Sequence, residues 1–390
     1  MRLTNILKVL FFCLIILTLF FFVNYMSKKN SVSYKSSESI SNVMAKEEEV
    51  IKEIEKPKEI VKHIETPEHV KAFYMSSWIL GTKNMRDAMV KIVEETELNA
   101  IVIDVKDNSG VISWQGRIKE DDLKNFINSL HEKNIYVIGR VAAFQDPLYA
   151  DANKDQAVQN PDGSIWKTAK GEKWVDSGSR KMWDYLLDIG HEAYDRGFDE
   201  INYDYIRFST DGVNQKLVYP ISGADGVTGR EKVITEFYKY ISEDMKKRNI
   251  KISGDVFGII TTTDTDIKTL GQNLDAALTY FDYVAPMVYP SHYAAGTFGY
   301  KNPAENPGGV ITASMQGAIK IATDLASTTG VSVDTYTAKL RPWYQDFDMG
   351  ATYTRDMVRA QIDAGNALDI KSFMLWDPKN KYTPSALNRE

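Results

Sequence analysis

The sequence predicts an α/β fold: a parallel (β/α)8 TIM barrel preceded by an N-terminal transmembrane helix and a disordered linker. Three observations carry the barrel. From residue 70 onward, apolar strand-like runs alternate with longer amphipathic runs, as repeated βα units and a parallel sheet require. The strand-like runs number about eight, over a length ordinary for such barrels with insertions. Polar side chains recur where those runs end, at the face where barrel enzymes carry their chemistry. A doubly wound open sheet is the rival, and it asks for a glycine-rich phosphate turn after its first strand. The turn here reads Ser76-Ser77-Trp78-Ile79-Leu80-Gly81 and lacks one, and no Walker motif occurs elsewhere.

In chain order the predicted strands are 70–75, 100–105, 136–141, 200–206, 251–257, 283–288, 339–344 and 372–376. The predicted helices between them are 85–96, 121–133, 180–196, 230–247, 267–278, 314–328 and 354–364, each with apolar residues at helical spacing. Upstream, residues 6–26 are apolar apart from Lys8, Thr18 and Asn24, long enough to span a bilayer. No small-x-small cleavage site follows, so the segment reads as an uncleaved anchor rather than a signal peptide. Lys28 and Lys29 follow the span, which weakens the positive-inside signal; the bulk of the chain is still expected outside, at the cell membrane. A Ser-rich stretch and then a Glu/Lys-rich one bury too little to fold alone. The expected organisation is therefore 1–30 anchor, 31–68 linker and 69–390 barrel.

Composition excludes several functions. A net charge of −6 argues against nucleic acid as the partner, which needs a basic surface. Cys13 is the one cysteine and lies in the apolar run, so neither an internal disulfide nor a cysteine metal site is expected. The five histidines, His63, His69, His131, His191 and His292, show no ligand spacing, so no metal and no cofactor is expected.

The candidate chemistry centres on 197–208, Gly-Phe-Asp-Glu-Ile-Asn-Tyr-Asp-Tyr-Ile-Arg-Phe. A strand that should be apolar carries Asn202, Asp204 and then Arg207, and buried polar groups need partners or a task. Asp104, Asp255 and Asp377 stand at other predicted strand ends, so four carboxylates converge on one mouth. Hydrolysis of a glycosidic bond needs two: one protonated to assist the leaving oxygen, one ionised to attack the sugar or activate water. Clustering raises the pKa of one member, and Arg140 or Arg207 would hold the other ionised. Asp204 is the expected nucleophile or base and Asp255 the expected acid, with Asp377 as the alternative acid. The bland alternatives are an Asp204–Arg207 ion pair, an N-cap or turn role for Asp255, and a turn before Pro378 for Asp377. Asp104, Lys106, Arg140, Arg207, Tyr289, His292, Trp376 and Asp377 are expected to contact substrate. The long insertion 144–177 adds Trp174, which with Trp166 could stack on sugars, and Asp176, which could hold hydroxyls; a loop packed on its own aromatics is the alternative.

Phe73-Tyr74-Met75, Ile103-Asp104-Val105-Lys106, Gly139-Arg140, Trp174-Val175-Asp176, Tyr203-Asp204-Tyr205-Ile206-Arg207-Phe208 and Ala285-Pro286-Met287-Val288-Tyr289-Pro290 together resemble a glycoside hydrolase family once called a domain of unknown function, DUF4015. The resemblance runs from about Val70 to Asp377. It implies a TIM barrel distantly similar to α-amylase-like and chitinase-like barrels, with Asp204 where the α-amylase-like enzymes place their strand-four nucleophile. Three departures stand out. A chitinase-like DxxDxDxE motif would start at Asp199, but Asn202 and Ile206 replace its second Asp and its Glu. Ser209 stands where a Pro usually follows the strand-four motif. Asp255 stands where amylases carry a Glu acid.

The function expected from the sequence is a membrane-anchored extracytoplasmic glycoside hydrolase acting on a cell-wall or surface polysaccharide through two carboxylates. A non-catalytic glycan-binding barrel, with one carboxylate at the base of its groove, is the alternative. A polysaccharide deacetylase or other esterase is disfavoured by the absence of a metal-type His/Asp cluster or a GxSxG elbow.

Overall fold

The computed structural model describes residues 61–389, apart from 212–215, 225–226 and 264. The expected anchor at 6–26 lies outside the described residues; among those described, no helix is long and apolar enough to cross a membrane. The chain from Val61 onward forms one compact unit. Residues 61–68, expected in the linker, are tied to the barrel. The backbone N–H of Ile64 donates to Asp199 Oδ1 (2.9 Å), and Thr66 Oγ1 shares a hydrogen bond with Tyr136 Oη (3.0 Å).

Eight parallel strands close in sequence order into a barrel. They are β1 (Lys71–Met75), β2 (Ala100–Lys106), β3 (Tyr136–Ala142), β4 (Glu200–Asp204), β5 (Lys251–Phe257), β6 (Tyr283–Met287), β7 (Trp343–Gln345) and β8 (Phe373–Trp376). The connecting helices are α1 (Lys83–Glu94), α2 (Glu120–Glu132), α3 (Arg180–Tyr194), α4 (Arg230–Met245), α5 (Leu274–Tyr280), α6 (Pro307–Thr329) and α7 (Arg355–Asn366). Every predicted strand has its counterpart. The helix expected at 267–278 is two pieces, Thr265–Leu270 and α5. Gly271 between them takes φ 76°, and the Asn273 side chain caps α5 by accepting from the Ala276 N–H. Strand β7 is shorter than expected because Pro342 interrupts 339–344 and offers no N–H to a ladder.

The period-two alternation of each strand sorts its residues into two shells. Ile101, Ile103, Val105, Ile201, Tyr203 and Ile252 face outward into the large core between strands and helices, and all are essentially buried. Ala72, Tyr74, Val102, Tyr136, Ile138, Trp343 and Met374 face inward and fill the barrel. On β4 the inward residues are Glu200, Asn202 and Asp204. Glu200, at the base, accepts from Arg341 Nη1 (2.8 Å), Ser253 Oγ (2.6 Å) and Tyr136 Oη (3.2 Å), which satisfies a buried carboxylate away from the mouth.

Candidate active site

Arg140, inward on β3, sits between Asp104 of β2 and Asp204 of β4. Register explains why: Asp104 pairs with Arg140 across β2–β3, and Arg140 with Asn202 across β3–β4. Its Nη1 donates to Asp104 Oδ1 (2.6 Å), while Nη2 and Nε both donate to Asp204 Oδ2 (2.5 and 3.1 Å). Charge-assisted bonds of this kind are stronger than those between neutral groups. Burial works against the Arg140 charge, but Asp204 and Asp104 outweigh it and raise its pKa well above the ordinary value. Asp104 also accepts from Tyr74 Oη (2.5 Å). Its burial nevertheless pushes its carboxyl above the ordinary value, against Arg140 and Tyr74.

Asp255 lies inside β5 and is 1 % exposed. Its Oδ1 accepts from Asn202 Nδ2 (2.9 Å) and Trp343 Nε1 (2.8 Å). Its Oδ2 lies 3.9 Å from Arg140 Nε. Burial, and then the charge of Asp204, push the Asp255 carboxyl up to about 8, although Arg140, Asn202 and Trp343 pull the other way. Asp255 thus keeps its proton at neutral pH, and with Oδ1 occupied by two donors, the proton belongs on Oδ2. Since one Nε lies 3.1 Å from Asp204 Oδ2 and 3.9 Å from Asp255 Oδ2, those two oxygens are no more than about 7 Å apart.

Strand β4 stops at Asp204, short of the expected 206, because Tyr205 adopts left-handed backbone geometry (φ 54°). A tyrosine there costs of order 1–2 kcal/mol. The turn aims the Tyr205 N–H at Asp204 Oδ1 (2.6 Å) and brings both Tyr205 and Arg207 to the mouth. Arg207 forms no ion pair with Asp204; the guanidinium on Asp204 is Arg140's.

These groups open into a cavity of about 580 Å³, inside the range for small-molecule sites. Asp204, Asp255, Arg140 and Arg207 provide its charge, and its walls include Tyr205, Phe257, Tyr289, Tyr293, Trp343 and Trp376. His292 also lines it, its pKa lowered by burial, so the ring is neutral at pH 7. Among the described residues no group of His, Cys, Asp and Glu is placed to hold a metal ion.

Residues 72–382 match the model of a family, DUF4015, described as a "Putative glycosyl hydrolase domain". The chain belongs to this family. No curated protein matches it. Among solved structures, the PgaB (BpsB) glycoside hydrolase domain from Bordetella bronchiseptica is similar at 10% identity and a TM-score of 0.53, over 79% of this chain and 94% of that one. Catalytic domain 2 of the Group II chitinase of Ostrinia furnacalis is similar at 11% identity and a TM-score of 0.50, over 82% and 95%. A hypothetical protein from Ruminiclostridium thermocellum ATCC 27405 aligns at 28% identity with 47% of this chain and 97% of its own, with a TM-score of 0.41. At their identities, the two glycoside hydrolase likenesses show a shared barrel fold.

Within the DUF4015 barrel, Asp204, Asp255, Arg140, Arg207, Tyr289, His292 and Trp376 share the cavity. The other expected contacts lie elsewhere. Asp104 is beneath Arg140 and reaches the cavity only through it. Lys106 is fully buried: a register shift after Asp104 turns it outward, where Nζ donates to the Ala142 carbonyl (2.6 Å) and pairs with Asp146 (2.9 Å). Trp174 is 1 % exposed and lies under the Arg207 guanidinium and beside the Tyr205 ring, in an insertion that folds back on itself and also buries Trp166. Asp176 is fully buried and accepts from the backbone N–H groups of Gly178, Ile221 and Ser222. Asp377 closes a turn by accepting from the N–H groups of Lys379 and Lys381. Asn202, where a chitinase-like motif would place an Asp, donates to Asp255 instead, and Ile206 is buried. Sequence reasoning missed Tyr205 and Phe257 as wall residues and Trp343 as the second donor to Asp255. The signal available for Trp343 was its place, a polar aromatic at a predicted strand end.

Proposed function

We propose that this chain is a membrane-anchored, extracytoplasmic glycoside hydrolase acting on a cell-wall or surface polysaccharide. One observation carries the proposal: two carboxyl groups in unlike surroundings open into a single aromatic-walled cavity. Asp204 is gripped by a guanidinium fork, and Asp255 holds a proton at neutral pH. A carboxyl of raised pKa beside one held by a guanidinium is the arrangement expected of an acid and its partner. In this mechanism Asp204 attacks the anomeric carbon or activates a water, and Asp255 Oδ2 protonates the leaving oxygen. Arg140, bonded to Asp204 and 3.9 Å from Asp255 Oδ2, places one cation beside both carboxyls. The bound of about 7 Å between the oxygens covers the retaining spacing and the short end of the inverting one. The aromatic walls offer apolar faces to sugar rings and exclude water from the reacting bond. A glycan-binding barrel needs no second carboxyl of raised pKa, which favours the enzyme. The apolar segment 6–26 supports the anchor.

The test is hydrolysis of a panel of cell-wall and capsular polysaccharides by the full-length protein, beside Asp204→Asn and Asp255→Asn. Release of reducing ends by the wild type is expected, falling by roughly 100- to 10,000-fold when the acid is removed. Glycan binding without turnover in all three proteins would reject the enzyme.

A further inference from the structure

The site contains one charge that the hydrolytic mechanism does not use. Arg207 is 9 % exposed, so its guanidinium is almost wholly withdrawn from bulk water, yet it lines the cavity. Among the described residues its one hydrogen-bond acceptor is the neighbouring Phe208 carbonyl, reached by Nη1 (3.0 Å), and no carboxylate forms an ion pair with it. Asp204, the nearest candidate in sequence, is taken by Arg140. Asp211 and Glu172 act on Arg207 only at longer range. What surrounds it is aromatic: the guanidinium carbon lies 4.6 Å from the Phe257 ring centroid, 4.8 Å from Trp174 and 5.8 Å from Tyr205. Such faces orient a guanidinium and offset part of its desolvation, but they accept none of its N–H groups in the plane of the fork. Buried cations are normally paired, because an unpaired one is costly. This one lines the cavity between a buried tryptophan and Phe257, with one acceptor for its fork among the described residues.

We infer that Arg207 is the receptor for an anionic substituent on the substrate, a sugar carboxylate or a sugar phosphate, so that the site is built for an acidic glycan. The inference rests on the proposed glycosidase function and narrows its substrate class. The planar fork matches both anions bidentately. Arg140, bonded to Asp204 at the cavity, offsets part of the negative charge already there.

The experiment is equilibrium titration of the full-length protein with methyl glucuronide, glucose 6-phosphate and neutral methyl glucoside, for the wild type, Arg207→Gln and Arg207→Lys. The wild type is expected to bind at least one anionic probe roughly ten- to a hundredfold more tightly than the glucoside, the worth of a hydrogen bond to a charged group. Whichever anion shows the preference identifies carboxylate or phosphate as the substituent. The preference should vanish in Arg207→Gln, survive in part in Arg207→Lys, and weaken with added sodium chloride in the wild type, a measurement that needs no variant to fold. Equal binding of charged and neutral probes by the wild type would overturn the inference, as would a preference that Arg207→Gln retains. Either result leaves the Asp204 and Asp255 hydrolysis test untouched. Conversely, an Arg207-dependent anion preference in a protein that cleaves no glycan would uphold the receptor and reject the enzyme.

Discussion

Replacing Asp255 with Asn should make the protein more stable at pH 8 while abolishing the acid step. In the folded protein the Asp255 carboxyl is displaced from 3.8 to about 8 by burial and by the neighbouring Asp204 charge. A shift of that size corresponds to about 6 kcal/mol between the two protonation states. The folded state therefore holds a proton that the unfolded chain releases above about pH 4, so stability falls as pH rises, by up to about 1.4 kcal/mol per pH unit. The loss runs from the unfolded value near 4 to the folded value near 8 and levels off above it. Because Asp204 and Asp255 interact, the proton belongs formally to the pair. Asn copies the protonated acid: its Oδ1 still accepts from Asn202 and Trp343, and its Nδ2 takes the place of the hydroxyl. It carries no charge at any pH, so this contribution to the slope disappears. The assay is urea denaturation of both full-length proteins from pH 5 to 8.5, read as the difference between their midpoints. Near pH 5 the variant should lead by only about 1–2 kcal/mol, and by pH 8 by several kcal/mol more. Parallel curves would mean that Asp255 is already ionised in the folded protein at pH 5, and the assignment of the acid would fall with that result.

Arg140→Met leaves Asp104 and Asp204 buried without their shared cation and should cost about 3–5 kcal/mol. Denaturation midpoints check this, and a variant as stable as the wild type would refute the central role of the fork. Trp343→Phe removes an N–H that favours the charged form of Asp255, so the carboxyl should rise further. The alkaline limb of the pH–rate profile should move up by about one unit, and a downward move would contradict the geometry. Lys106→Met strands the Asp146 carboxylate and should destabilise by about 3–5 kcal/mol. The folded fraction should keep its KM; a large rise in KM would place Lys106 at the substrate after all.

Much of this architecture was legible in the sequence because barrel strands obey a simple alternation. Each predicted strand has its counterpart, since Val, Ile and Tyr runs between amphipathic helices have few other ways to bury both faces. Asp204, Asp255 and Arg140 stood out because polar residues at inward positions near strand ends contradict the apolar expectation. Less legible was where a side chain goes once alternation breaks. Lys106 stands in phase with Asp104, yet a one-residue register shift turns it away from the mouth. Trp174 and Asp176 have the composition of sugar contacts, but the insertion folds back on itself and buries both. The partner of Asp204 was also hidden: Arg207 is close in sequence, whereas Arg140 lies 64 residues away and is brought alongside by the β3–β4 register.

The sequence by itself determined the eight-stranded barrel, its helices and the inward carboxyls of β4 and β5, because these follow from local periodicity and from the cost of burying charge. Tertiary structure alone decided the pairing. Barrel closure places Asp104, Arg140 and Asp204 on three adjacent strands and sets Trp343, 88 residues distant, against Asp255. It also leaves Arg207 among rings instead of carboxylates. The physical reason is that pKa values and charge pairing depend on distances of a few ångströms between residues far apart in the chain, and only strand register and loop packing set those distances.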